Sequence, residues 1–296
     1  MVVIVCLYYG FWWHKEKKLI QNIPEKYVVI PDCDSGFGNL LAKHLDLQGL
    51  QVLASCLTVK GAEVSKKSTL DRLKTVILDT TKIESLWGLV NNAGITSPTF
   101  PNEWLKKKDF VKILDVNLIG LIEVTLSMLP MVQKAQGRVV NVPSIAGKQS
   151  IFDGRRCISK YGVEAFSKIA LFGVRVVIIE PGNSRTNIFS LENMNDRLKN
   201  QWSQVPLEIK EAYGEHYCKY ANYFLSTGKK NLYPVIWSME HALTAVHPRT
   251  HYTYFSPFNK LLNWSLISVL LSFFGITFIL FRIYFKPKPA HAVSLG

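Results

Sequence analysis

The sequence predicts an α/β fold, a doubly wound parallel sheet. Three observations carry that expectation. Short β-branched runs recur along the chain, helical stretches separate most of them, and the turn after the first run contains glycine. Strands that alternate with helices need crossover connections, and these cover both faces of a parallel sheet.

The first strand falls at "KYVVI" (Lys26 to Ile30), and the turn "PDCDSGFG" follows it. A helical pattern of Leu40, Leu41, His44, Leu45 and Leu47 comes next and ends at Gly49. "LQVLASCL" reads as the second strand and "TVILD" (Thr75 to Asp79) as the third. "LWGLVNNAG", "GRVVNVPS" and "VRVVIIEPG" are the fourth, fifth and sixth. Helices are expected at Asp109 to Met131 and at Ser159 to Leu171. From about residue 183 the pattern turns irregular and helical, as a segment covering a substrate would.

Composition bounds the chemistry. With 48% apolar residues, a packed core is expected and disorder is not. Five cysteines (Cys6, Cys33, Cys56, Cys157, Cys218) stand singly, which signals neither a disulfide framework nor a zinc site. His247 and His251 lack further ligands nearby, and Pro248 disturbs the helix their spacing would need, so no metal is expected. The formal charge of +13 suits nucleic acid or an anionic membrane surface. The basic clusters flank apolar runs near the two ends, which favours a membrane over nucleic acid. Residues 1–18 read as an uncleaved N-terminal membrane anchor, with apolar Met1 to Trp13 followed by "HKEKK". Residues 261–286 read as a C-terminal apolar membrane segment around Leu266 to Phe281. Basic residues after each run give opposite orientations, so one of the two is expected to lie in the interface.

The polar signals fall where an open parallel sheet binds ligands, beyond the carboxyl ends of its strands. Gly36-Phe37-Gly38 leads into a helix, and glycines there let the backbone approach a pyrophosphate. "NNAG" (Asn91 to Gly94) ends the fourth strand. "DVNLIG" places Asn117 inside a helix, "NVPS" places Ser144 past the fifth strand, and Lys160 opens a helix sixteen residues later. Pro181-Gly182 closes the sixth strand.

With "CDSGFG", "LDTT", "NNAG", "DVNLIG", "NVPS", "CISKYGVEAFS" and "IEPG" in order, residues 26 to 252 resemble the short-chain dehydrogenase/reductase family. "CLTVKGAE", "EAYGEHY" and "MEHALTAVHPRTHY" are similar to its microsomal retinol and hydroxysteroid dehydrogenases. The resemblance implies a Rossmann-like domain over residues 26–255 and hydride transfer between NAD(H) and a retinoid or steroid alcohol or ketone. It further implies a membrane-bound protein of the endoplasmic reticulum and a possible homodimer. Asp32, Ser35, Gly36, Phe37, Gly38, Asp79, Asn91, Ala93, Gly94, Lys160, Pro181 and Gly182 would hold the cofactor. Ser144 would bind the substrate oxygen, Asn117 a water, and Lys160 the nicotinamide ribose. The second strand ends in "SCLTVK" with no acidic residue to read a ribose hydroxyl, so the residues themselves leave NADP open.

Three departures from the family pattern stand out. Arg156 holds the place of the tyrosine in Tyr-x-x-x-Lys, and a guanidinium cannot take a proton from an alcohol. Pro31-Asp32 replaces Thr-Gly, which removes a donor and puts a carboxylate near the pyrophosphate. Only Thr80 to Leu86 separate the third and fourth strands, about 23–25 Å of extended chain. No crossover helix fits in that link, so a partly bare sheet face or a displaced fourth strand is expected. Beside an impaired dehydrogenase stand two rival expectations, a non-catalytic retinoid- or steroid-binding protein and a decayed or mis-spliced product.

Overall fold

The structure is a computed structural model. It describes residues 10–11, 14–56, 74–75, 86–95, 100–148, 153–168, 173–186, 191–213 and 228–254. The chain divides into two compact units, Met1–Tyr254 and Phe255–Gly296, and every described residue belongs to the first. The C-terminal apolar segment, most of the N-terminal run, Asp79 and residues 76–85 lie outside the described residues.

Seven strands form one parallel sheet in the order β3-β2-β1-β4-β5-β6-β7. They are β1 (Tyr27–Ile30), β2 (Gln51–Ala54), β3 (Lys74–Thr75), β4 (Gly88–Asn91), β5 (Arg138–Asn141), β6 (Arg175–Glu180) and β7 (His251–Thr253). Five of the predicted strands are present, shortened at their ends; of the third, expected over Thr75 to Asp79, Thr75 lies in β3 and residues 76–79 lie outside the described residues. The seventh was not anticipated: three residues are too few to show a period, and β7 is specified by its partner β6, through Ile178↔His251 and Glu180↔Thr253.

Alternation along the strands builds the two layers. Val28, Ile30, Val52, Val90 and Val140 face one core with Leu41 and Leu45 of α1 (Gly36–Leu47). Ile236, Met239 and Leu243 of a later helix close that layer. The intervening residues Val29, Leu53, Leu89 and Val139 face the other core, with Met128 and Val132. Each fully buried Leu, Ile or Met adds roughly 1.5–3 kcal/mol. A third cluster joins Phe100 and Trp104 to Leu198 and Val205, with Trp104 and Trp202 rings 5.0 Å apart.

Met128 and Val132 belong to a long helical stretch in three parts. α2 (Lys107–Leu114) runs through a π-turn (Asp115–Ile119) into α3 (Gly120–Lys134). Among the described residues, this is the one helix long and apolar enough to cross a membrane. Its Leu121, Thr125, Met128 and Val132 are buried, whereas Val111, Val116, Ile119 and Leu126 are exposed. α4 (Gly154–Lys168) starts five residues ahead of the expected Ser159. α5 (Leu191–Ser203), α6 (Leu207–Tyr213) and α7 (Tyr233–Thr244) follow β6, and α7 supplies Ile236, Met239 and Leu243.

The fourth strand is not displaced. Val28 pairs with Gly88 and Val29 with Leu89, and both Val29 and Leu89 are fully buried. The second face of the sheet is therefore covered at these two strands.

Candidate active site

The register of β1, β4, β5 and β6 brings the residues after their carboxyl ends to one edge of the sheet. A cavity of about 120 Å3 opens there, between those loops and α4. Of the residues singled out in the sequence, Asp32, Ser35, Gly36, Phe37, Gly94, Ser144, Arg156, Lys160, Pro181 and Gly182 line it. Most of the predicted constellation is thus assembled by the fold.

The first wall is the turn after β1. Gly36 has a φ of +66°, a conformation glycine adopts without strain. Behind it, a Cβ on Gly38 would lie 2.4 Å from the Asp32 carbonyl oxygen and 2.8 Å from Asn92 Nδ2. Only glycine lets α1 approach the turn this closely. Asp32 has a φ of +59°, so a side chain sits in backbone geometry that suits glycine. That costs an ordinary residue about 1–2 kcal/mol, with Asp and Asn the most tolerant. Its carboxylate accepts the Gly94 N–H, and burial, with Asp34 adding to it, raises its pKa above the usual range. Asp32 is half-buried at the cavity wall.

Asn91 takes a different place from the expected one. Its Nδ2 donates to Thr125 Oγ1 (2.8 Å) and to Asn141 Oδ1 (2.7 Å), inside the layer that α3 covers. Two-residue alternation from Leu89, which faces the same layer, accounts for this. Its neighbour Asn92 lines the cavity instead, which the sequence reading passed over although the same alternation points to it. Ala93 is not among the lining residues.

Asn117 sits buried in the π-turn. Its Oδ1 accepts the Ile95 N–H (2.8 Å), and its Nδ2 donates to the Ile95 carbonyl (3.0 Å) and to Ser159 Oγ (3.3 Å). This fixes the loop after β4 against α4. A Cβ on Gly94 would meet Asn117 Oδ1 at 3.3 Å and Lys160 Nζ at 3.6 Å, so glycine gives the lysine room.

Arg156 and Lys160 lie one turn apart on α4, and both line the cavity. Arg156 Nη2 donates to Ser144 Oγ at 3.4 Å, and the Ser144 hydroxyl donates to the Pro181 carbonyl at 3.3 Å. Ser144 holds φ 150° and ψ 167°, a region that costs a non-glycine residue about 1–3 kcal/mol. Lys160 Nζ donates to the Val142 carbonyl at 3.2 Å. Burial first, and the neighbouring Arg156 second, lower the lysine's pKa to about 7. Burial also lowers that of Arg156, with Asp153 opposing. Tyr161 is exposed and its hydroxyl donates to the Lys148 carbonyl at 2.5 Å, away from the cavity.

A second polar cluster lies beside the site. Glu164 of α4, Glu180 of β6 and His251 of β7 bring their ligand-type atoms within 4.8 Å of one another. Lys148 pairs with Glu180, His251 Nδ1 lies 3.3 Å from it, and Thr253 Oγ1 donates to it at 2.5 Å. Burial works against the Glu180 carboxylate, but these bonds hold its pKa at about 2. Burial and then Glu180 push Glu164 up to about 7. The Lys148 ammonium supplies the positive charge that a metal would otherwise bring.

The short chain dehydrogenase family model matches residues 57–197. Rat retinol dehydrogenase 7 is 52% identical over 264 residues, 81% of this chain and 83% of that protein. Human 17-beta-hydroxysteroid dehydrogenase type 6 is 48% identical over 278 residues, 86% of this chain and 88% of that one. This chain belongs to the short-chain dehydrogenase/reductase family. Within that family it falls in the retinol and hydroxysteroid dehydrogenase branch. Among solved structures, a short-chain dehydrogenase from Streptomyces avermitilis superposes with a TM-score of 0.62 at 20% identity. It covers 86% of this chain and 96% of its own length, and it bears on the fold alone.

The cofactor class of a short-chain dehydrogenase is a nicotinamide dinucleotide, and most of the residues lining the cavity suit one. Gly36 and Gly94 line the cavity, where glycine suits close backbone approach to a pyrophosphate, and Gly38 lets α1 pack against the turn. Asp32 is the discordant residue, a carboxylate where the phosphates would lie.

Proposed function

We propose that this chain binds NAD(H) together with a retinoid or steroid alcohol or ketone, and that hydride transfer between them is impaired. One observation carries the reading: Arg156 and not a phenol lines the cavity between Ser144 and Lys160. A bound nicotinamide supplies hydride chemistry, and the protein must supply orientation and a proton acceptor. A phenol next to an ammonium can be tuned to accept a proton near neutral pH. A guanidinium has no acceptor, so it can only donate to the substrate oxygen. The Gly36–Gly38 turn and Lys160 would hold the dinucleotide, and Ser144 the substrate oxygen once its hydroxyl turns from the Pro181 carbonyl.

The test uses membranes carrying the full-length chain, with retinol and androstanediol as substrates and NAD as acceptor. The native chain should turn over poorly. Arg156→Tyr should gain about 10²–10⁴-fold, the usual worth of general acid–base help. Native activity already at the level of the variant would refute the reading.

A second reading, a binding protein without catalysis, is favoured by the engagement of the Ser144 hydroxyl with Pro181 and Arg156. NADH and retinoid binding without turnover in either form would select it. We place the chain at the endoplasmic reticulum membrane, held by residues 1–18 and 261–286. A homodimer would use the exposed Val111, Val116, Ile119 and Leu126 as its apolar face.

A further inference from the structure

The cavity's deep end concentrates donors and positive charge. Arg156 and Lys160 reach it from successive turns of α4, and the Ser144 hydroxyl lies within reach of Arg156 Nη2 at 3.4 Å. One of the three N–H donors of a protonated Lys160 goes to the Val142 carbonyl. Asp153, on α4's N-terminal side, is held by Arg155, whose Nε meets Oδ1 at 2.7 Å and Nη2 meets Oδ2 at 3.1 Å, and its charge also acts on Arg156.

Among the described residues lining the cavity, Asp32 is the one carboxylate. It follows β1, and Ser144 follows β5. β4 lies between them, which sets the two loops about 10 Å apart at ordinary strand spacing. The Asp32 carboxylate accepts the Gly94 N–H, and Lys160 Nζ lies beside Gly94, so the acid approaches Lys160 while Arg156 lies by Ser144. The cavity wall also includes the apolar Ile95, Val142, Pro143 and Pro181, beside the polar Asn92, Ser184 and Thr186.

We infer that this end of the cavity is a binding site for the carboxylate of an apolar acid. A planar guanidinium pairs with the two coplanar oxygens of a carboxylate through parallel N–H donors, a match that neither an alcohol nor an aldehyde offers. Lys160 adds a second charge and Ser144 a hydroxyl, each from a different element. A substitution that removes a proton acceptor thus creates a selective anion site in the same space. The acid would occupy the place of the alcohol and exclude it. The inference rests on the proposed apolar substrate class and changes the head group that the site prefers.

The test is a matched series sharing one apolar body: all-trans-retinoate, retinal and retinol. Each is titrated against detergent-solubilised full-length chain by quenching of tryptophan fluorescence. The native chain should bind retinoate at least tenfold more tightly than retinol. Arg156→Tyr should abolish that preference, and Arg156→Gln should do the same if the tyrosine variant does not fold. Equal affinity of the native chain for all three overturns the anion site while leaving the retinoid reading intact. Failure of all three to bind overturns both. A retinoate preference that survives in a folded Arg156 variant also overturns it, because the guanidinium would then not be the partner.

Discussion

Replacing Arg156 with glutamine should raise the pKa of Lys160. Two side chains one helical turn apart on the same face have Cβ atoms about 5–6 Å apart. At an effective dielectric of 20, two unit charges at about 6 Å repel by roughly 3 kcal/mol. That corresponds to about 2 pKa units, and flexible side chains will realise only part of it. Burial is the larger cause of the lysine's depression to about 7, and it persists in the variant. The expected value in Arg156→Gln is therefore about 1–2 units higher, still below an exposed lysine. The assay is the pH dependence of Lys160 labelling by an amine reagent, read by peptide mass spectrometry. Stability carries the same signature. Above pH 7 the folded lysine releases its proton, while the unfolded one keeps it until about 10.4. The unfolded state binds more protons in that window, so the lysine's contribution to stability rises with pH across it. In the variant the rise should begin at higher pH. An unmoved labelling midpoint would refute the reasoning, because the two cations would then not sense each other.

Glu164 gives the opposite slope. Its folded pKa of about 7 exceeds that of a free glutamate, so its contribution to stability falls as pH rises from about 4.5 to 7 and stays low above that. Glu164→Gln should flatten the fall, by up to about 3 kcal/mol, measured by urea unfolding at pH 5 and pH 8. Glu180, held at about 2, should keep its own contribution until the medium is strongly acidic. Arg138 is buried, donates to the carbonyls of Ala242 and Ala245 at 2.8 Å each, and lies over the Trp87 ring. Arg138→Met would leave two buried carbonyls short of a partner, at about 1–3 kcal/mol each. A clearly lower thermal midpoint is expected, and an unchanged one would show that water replaces the guanidinium.

The fold was legible because its signals are periodic and local. Val28, Ile30, Val90 and Val140 alternate with residues of the opposite layer, and such alternation survives in one sequence. Gly36, Ser144 and Pro181 were legible because each falls at a strand end or helix start, where a parallel sheet gathers its loops, whereas Lys160 lies within α4 and was found by resemblance. What was missed depends on contacts between distant segments. β7 exists only because β6 offers a free edge. The Glu164–Glu180–His251–Lys148 cluster joins three elements and the segment after β5, and its members look like ordinary surface charges in the sequence. Asn91 was assigned to the cofactor by resemblance and Asn92 was passed over, where strand alternation would have separated them.

The two departures at the site act together on the cofactor. The family pattern has neutral residues at positions 32 and 156, with Lys160 as the cavity's cation. Here Asp32 adds a negative charge and Arg156 a positive one, so the net charge is preserved and its distribution is not. The carboxylate lies where a pyrophosphate would bind, and the guanidinium lies by Ser144 and Lys160, where an oxidised nicotinamide would bring its own positive charge. Both changes oppose NAD+, and only the first opposes NADH, whose ring is neutral. A full charge pair about 4 Å apart is worth roughly 4 kcal/mol at a dielectric of 20, or two to three decades in affinity. Asp32→Gly should therefore tighten both redox forms by a similar factor, within that range, and relieve the strain at φ +59°. Arg156→Tyr should tighten NAD+ selectively, so that the ratio of NAD+ to NADH affinity moves with position 156 and not with position 32. Calorimetric titration of both forms against the native chain and the two variants measures this directly. A ratio that shifts equally in both variants would mean that the two charges are not separated along the cofactor, and the division of the cavity into a phosphate end and a nicotinamide end would fail with it.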